Sequence, residues 1–152
     1  MVKVYYSYEF AQTISQPINR QCNFAVVPKR SSLLYLGKII VAGVNQYIAI
    51  IALKTGEVLK YLYENERNVN VRVVKTSENR IYVGYEDGRI SIYDLDDEQF
   101  VCSLDLHKST VSSIDVDEND TKMVSAGLDG NIFVWDLLSE ESQKMYFFRL
   151  NL

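Results

Sequence analysis

Residues 125–137 read Ser125-Ala126-Gly127-Leu128-Asp129-Gly130-Asn131-Ile132-Phe133-Val134-Trp135-Asp136-Leu137. An Asp-Gly pair stands between two apolar runs: Lys122-Met123-Val124 leads in, and Ile132-Phe133-Val134-Trp135 leads out. Asp-Gly is a tight-turn dipeptide, because the central positions of such a turn need φ > 0. The stretch therefore reads as two antiparallel strands joined by a hairpin turn.

The same pattern occurs twice upstream. Val83-Gly84-Tyr85-Glu86-Asp87-Gly88-Arg89-Ile90-Ser91-Ile92-Tyr93-Asp94-Leu95 aligns with it residue for residue. Val41-Ala42-Gly43-Val44-Asn45-Gln46-Tyr47-Ile48-Ala49-Ile50-Ile51-Ala52-Leu53 aligns ungapped in turn, with Ala52 where the other copies have Asp94 and Asp136. The copies begin at 41, 83 and 125, so the period is 42 residues. A fixed period of this size marks a repeat architecture.

Each period has room for four short strands. After each hairpin comes a polar turn, Lys54-Thr55-Gly56-Glu57 or Asp96-Asp97-Glu98, and then an apolar run at 58–62 or 100–104. Before each hairpin lies another run, at 69–74 or 111–116. No long segment keeps apolar residues at a 3.6 period, so a helical reading fails. The expected fold class is all-β. Its three units of about four antiparallel strands span about 10–63, 64–105 and 106–152 within one domain covering 1–152.

Composition limits the function classes. The chain has 152 residues, 47% hydrophobic and 24% charged, enough to bury a core. The net charge of −4 argues against a basic nucleic-acid surface. The longest apolar run is 47–53, far below the ~20 residues of a membrane helix. No apolar stretch follows Met1-Val2-Lys3, so the chain is expected inside the cell. Cys22 and Cys102, 80 positions apart, read as small buried hydrophobes. With one histidine they cannot build a Cys/His zinc cage.

Chemistry-bearing candidates are few. His107, Ser125 and Asp129 are residue types of a hydrolytic triad, but no Gly-x-Ser-x-Gly elbow accompanies them. Asp115-Val116-Asp117-Glu118-Asn119-Asp120 lacks the central glycine and distal glutamate of a calcium loop and reads as a solvated turn. Lys29-Arg30 reads as a solvated loop pair, with RNA or a partner as the alternative. There is no glycine-rich phosphate loop. No catalytic residue, cofactor site or metal site is expected, and the chain reads as a non-enzyme.

Four strands per repeat, an Asp-Gly turn and a Trp135-Asp136 ending resemble the WD-repeat β-propeller. The resemblance implies a hydrogen-bonded structural tetrad of His107, Ser125, Asp129 and Trp135. It also implies repeat positions at Asp87, Gly88, Tyr93, Asp94, Gly130 and Asp136. The second unit departs from the pattern, with Asn65, Val83 and Tyr93 in place of the histidine, serine and tryptophan. It is expected to pack without a tetrad. Three blades cannot close a ring, which takes typically four to eight.

A narrower resemblance rests on motif order. Met1-Val2-Lys3-Val4-Tyr5, Tyr8-Glu9, residues 23–27, Lys54-Thr55-Gly56-Glu57, Val83-Gly84-Tyr85-Glu86-Asp87-Gly88 and His107-Lys108 resemble, in sequence, the N-terminal propeller of the small nucleolar RNA-associated protein 12 family. The match runs over about residues 1–140. It implies a scaffold of the small-subunit processome in 18S ribosomal RNA maturation, in the nucleus and nucleolus. The implied partners are other WD-repeat processome proteins, with pre-ribosomal RNA and small nucleolar RNA reached indirectly. No membrane and no small-molecule substrate is implied. The alternative is a general WD-repeat adaptor presenting a peptide partner, for example in a ubiquitin ligase or a signalling assembly.

Overall fold

The computed structural model describes residues 23–27, 39–63 and 68–138, and the strand backbone at 145–149. Readings placed on residues 1–22, on Lys29-Arg30 and on Asn65 lie outside the described residues. Twelve strands are present among those described: β1 (Phe24–Val26), β2 (Ile39–Val44), β3 (Tyr47–Ala52), β4 (Val58–Leu62), β5 (Val71–Thr76), β6 (Arg80–Tyr85), β7 (Arg89–Asp94), β8 (Phe100–Asp105), β9 (Val111–Val116), β10 (Lys122–Gly127), β11 (Asn131–Asp136) and β12 (Met145–Arg149). They form three four-stranded sheets, β1-β2-β3-β4, β5-β6-β7-β8 and β9-β10-β11-β12. Every pairing is antiparallel, and neighbours in the chain are neighbours in the sheet. The fold is all-β, in three four-stranded units, as the sequence leads one to expect. No helix among the described residues is long and apolar enough to cross a membrane.

Alternation along each strand gives every sheet two apolar faces, and these stack. One face of the first sheet, with Ile39, Val41, Ile48 and Ile50, packs on Ile81, Val83, Tyr93 and Leu95 of the second. The opposite face of the second sheet, with Tyr82, Ile90, Ile92 and Leu104, packs on Met123, Phe133 and Trp135 of the third. The first strands carry much of the contact, β1 and β2 against β5, and β5 and β6 against β9. Val124, at 41% exposed, and the half-buried Ala126, Ile132 and Val134 face away from the second sheet.

Polar links reinforce the stacking. The Asn23 side-chain amide pairs with Val74 as a strand neighbour would, its Nδ2 donating to the carbonyl at 2.9 Å and its Oδ1 accepting from the N–H at 2.7 Å. Lys60 of β4 pairs with Glu98 in the β7–β8 turn. Burial pushes the Glu98 carboxyl upward. Asp120, in the β9–β10 turn, accepts hydrogen bonds from Ser77 Oγ at 2.7 Å and from the Tyr82 hydroxyl at 3.0 Å.

The hairpins correct two expectations. In the second and third sheets the turn has three residues, Glu86-Asp87-Gly88 and Leu128-Asp129-Gly130. Gly88 and Gly130 donate N–H bonds to Tyr85 and Gly127 at 3.3 and 3.1 Å. Only the glycine is left-handed, with φ 93° at Gly88 and 76° at Gly130, whereas Asp87 and Asp129 keep negative φ. The extra residue absorbs the left-handed step, so the aspartates need none.

The first hairpin is shorter. Val44 faces Tyr47 across Asn45-Gln46, and Asn45 takes the left-handed conformation at φ 53°. Val41 therefore lies opposite Ile50, whereas Tyr82 lies opposite Ile92 and Val124 opposite Val134. Position 41 corresponds to 82 and 124, not to 83 and 125. The ungapped alignment holds between the second and third copies, but the first needs a one-residue gap in its turn. A one-residue slip moves every side chain of β2 to the other face. It is Ala42, not Val41, that matches Val83 and Ser125.

Candidate functional site

Three hydrogen bonds join four side chains of the third unit. Ser125 sits mid-strand on β10, opposite Phe133 of β11. Trp135 lies on the same face of β11, and its indole Nε1–H donates to Ser125 Oγ at 2.9 Å. His107 comes from the β8–β9 loop, with Nε2 2.9 Å from Ser125 Oγ and Nδ1 3.1 Å from Asp129 Oδ1. Asp129 is the central turn residue before Gly130.

The donors fix the protons. An indole N–H only donates and a carboxylate only accepts, so Trp135 donates to Ser125 Oγ and the His107 Nδ1 proton faces Asp129; with the ring neutral, Nε2 accepts the Ser125 proton. His107 then carries its proton on Nδ1 and donates it to the carboxylate. Protons run Trp135 to Ser125 to His107 to Asp129, and each desolvated group has a partner. The ring faces of Phe133 and His107 pack edge-on at 4.6 Å.

Asp129 also accepts from the backbone N–H of Lys108 at 2.8 Å, the N–H of Asn131 at 3.1 Å and the Asn131 side-chain amide at 3.0 Å. Burial pushes its carboxyl up. The backbone donors of Lys108 and Asn131, with His107 and the Asn131 amide, more than offset this and hold it at about 2. Gly127 makes room for the imidazole, since a Cβ there would run into His107 Nδ1 and come within 2.6 Å of Asp129 Oδ1.

In order, Ser125–His107–Asp129 matches a nucleophile, base and orienting carboxylate. Its access does not. Ser125 is 0% exposed, and the Trp135 N–H occupies its oxygen. A nucleophile needs an open approach for the reacting atom, and this fully buried hydroxyl offers none.

The second sheet fills the equivalent space differently. Val83 and Tyr93 stand where the third unit has Ser125 and Trp135, and both are buried. Tyr85, at the Gly127 position, is also buried, with its hydroxyl 3.5 Å from that of Tyr93. The Arg89 guanidinium stacks over the Tyr85 ring at 4.8 Å. Here a large aromatic stands at the strand position where the third unit has Gly127 beside the loop histidine. The two solutions differ at positions 83, 85 and 93 together. That joint change is present in the repeat alignment, where Tyr85 stands against Gly127.

The remaining candidates are turn residues. Asp87 Oδ1 accepts from the Arg89 N–H at 3.2 Å. Asp94 Oδ1 accepts from the N–H groups of Asp96 and Asp97 at 2.7 and 3.3 Å, and Asp136 Oδ1 from Leu138 at 3.0 Å. Gly88 sits against backbone, where a Cβ would strike the His107 carbonyl and come within 2.8 Å of the Ser109 carbonyl. Asp117 caps its own turn, accepting from the N–H groups of Thr121 and Lys122 at 2.7 and 2.8 Å. Among the described residues, no group of three metal-ligand side chains converges. Cys102 is a free thiol, half-buried rather than fully buried, and burial pushes it upward. Sequence reasoning also missed Asn23 and Asp120, whose partners lie one repeat away and leave no local signal.

Residues 98–136 match the profile of the WD40 family, described as WD domain, G-beta repeat. The chain is 31% identical over 78 residues to restriction of telomere capping protein 1 of Candida tropicalis, covering 49% of this chain and 7% of that protein. It is 29% identical over 114 residues to cilia- and flagella-associated protein 52 of Homo sapiens, covering 72% and 18%. It is 26% identical over 83 residues to eukaryotic translation initiation factor 3 subunit I of Vanderwaltozyma polyspora, covering 55% and 24%. The chain thus spans less than a quarter of the length of each of these curated relatives. The matched segment encloses β8 through β11 and all four members of the hydrogen-bonded network, with His107 in the loop between β8 and β9. Residues 98–136 thus match the WD40 repeat, and the all-β architecture of three four-stranded antiparallel sheets is consistent with a partial WD-repeat propeller.

Proposed function

We propose that the chain is a non-catalytic WD-repeat scaffold for macromolecular assembly, and that the His107–Ser125–Trp135–Asp129 network serves the fold. The observation that carries this is the complete burial of Ser125 beneath Trp135. The network spends its hydrogen-bonding capacity internally, which suits a structural clamp and leaves nothing to turn over a substrate. The half-exposed apolar face of the third sheet, Val124, Ala126, Ile132 and Val134, supports a role in larger assemblies.

Within that class, the finer reading is a subunit of the small-subunit processome in 18S ribosomal RNA maturation, acting in the nucleolus beside other WD-repeat proteins. Its support is the order of the motifs from residue 1 onward. Pre-ribosomal RNA and small nucleolar RNA would be met through the complex, in keeping with a net charge of −4. The relatives carry names from telomere capping, cilia and translation initiation. These names point to no single task, as expected where a fold is reused for many jobs.

Affinity purification of the tagged chain, with mass spectrometry of co-purifying proteins and a probe for pre-ribosomal RNA, tests the reading. Processome subunits together with that RNA would support it. A ligase or signalling complex free of pre-ribosomal RNA would overturn the finer reading and leave the adaptor role.

A further inference from the structure

We draw no further inference here: the strongest candidate, the cleft of about 480 Å³ between the β5–β6 and β9–β10 turns with Glu78, Asp117 and Glu118 in its walls, is a cluster of acidic turn residues, and nothing in the structure shows what fills it.

Discussion

Replacing Ser125 with alanine removes one oxygen and leaves two buried groups without partners. The Trp135 indole N–H loses its acceptor at 2.9 Å, and His107 Nε2 loses its donor at 2.9 Å. Both side chains are enclosed, with His107 6% and Trp135 2% exposed, so water does not readily replace the hydroxyl. Each orphaned group costs about 1–3 kcal/mol. The lost volume is small, so the cavity contribution is minor beside this. The expected destabilisation is about 3–4 kcal/mol, a large part of the roughly 5–15 kcal/mol that holds a domain together. In urea, with a slope of about 1–3 kcal/mol/M, the midpoint should fall by more than about 1 M at unchanged slope. A double-mutant cycle isolates the cause. In a Trp135→Phe background the indole orphan is already gone, so Ser125→Ala should cost about 1–3 kcal/mol less than it does alone. A wild-type midpoint for Ser125→Ala, or equal costs in the two backgrounds, would refute the assignment of Ser125 as the shared partner.

Three further outcomes follow from the geometry. Gly127→Ala should lower the melting temperature more than Gly130→Ala, because a Cβ at 127 meets His107 and Asp129, whereas the one at 130 meets open space and pays only for φ 76°. Equal melting curves would contradict this. Asp129, held at about 2 against an unfolded value near 3.8, contributes stability that is fully present above about pH 4. That contribution, about 2 kcal/mol, is lost as pH falls through about 2, and urea midpoints of Asp129→Asn should lack this acid limb. Burial, and then the Asp120 carboxylate, push the Tyr82 phenol well above its usual range, with Arg80 pulling the other way. The stability this gives is present below the ordinary tyrosine value near 10 and disappears as pH rises through the folded one. Alkaline unfolding of Tyr82→Phe should therefore lose the Tyr82 component, and an unchanged alkaline limb would remove Tyr82 as its source.

Much of this architecture could be read from residues whose meaning is local. Asp87-Gly88 and Asp129-Gly130 marked the hairpins because glycine supplies the left-handed step where the chain reverses. The period placed the strands to within two residues, with β5 running Val71–Thr76 where 69–74 was expected. The His107, Ser125 and Trp135 positions were legible through the resemblance to the WD-repeat pattern, whose physical reason is that a buried indole, hydroxyl and imidazole need one another. What failed depends on register. Nothing in Asn45-Gln46 as letters says that its turn is one residue shorter than Glu86-Asp87-Gly88. That difference decides whether Val41 or Ala42 faces the second sheet. Asn23 and Asp120 were invisible for another reason. Their bonds run to Val74, Ser77 and Tyr82, and a one-dimensional pattern cannot show which turn of one repeat lies beside which strand of another.

The order of strands within the sheets also bears on how the chain acquires its shape. Each sheet is made of strands consecutive in sequence. The polar links between sheets reach only 51 positions for Asn23–Val74, 43 for Ser77–Asp120 and 38 for Lys60–Glu98. Among the described residues these links extend about one repeat. Loop-closure entropy is incurred in small, nearly equal instalments, and the energetics approach those of a linear array with nearest-neighbour coupling. As the polypeptide leaves the ribosome, a sheet can form once its own stretch has emerged. Its successor can then dock on that surface, so the topology permits assembly in the order of synthesis.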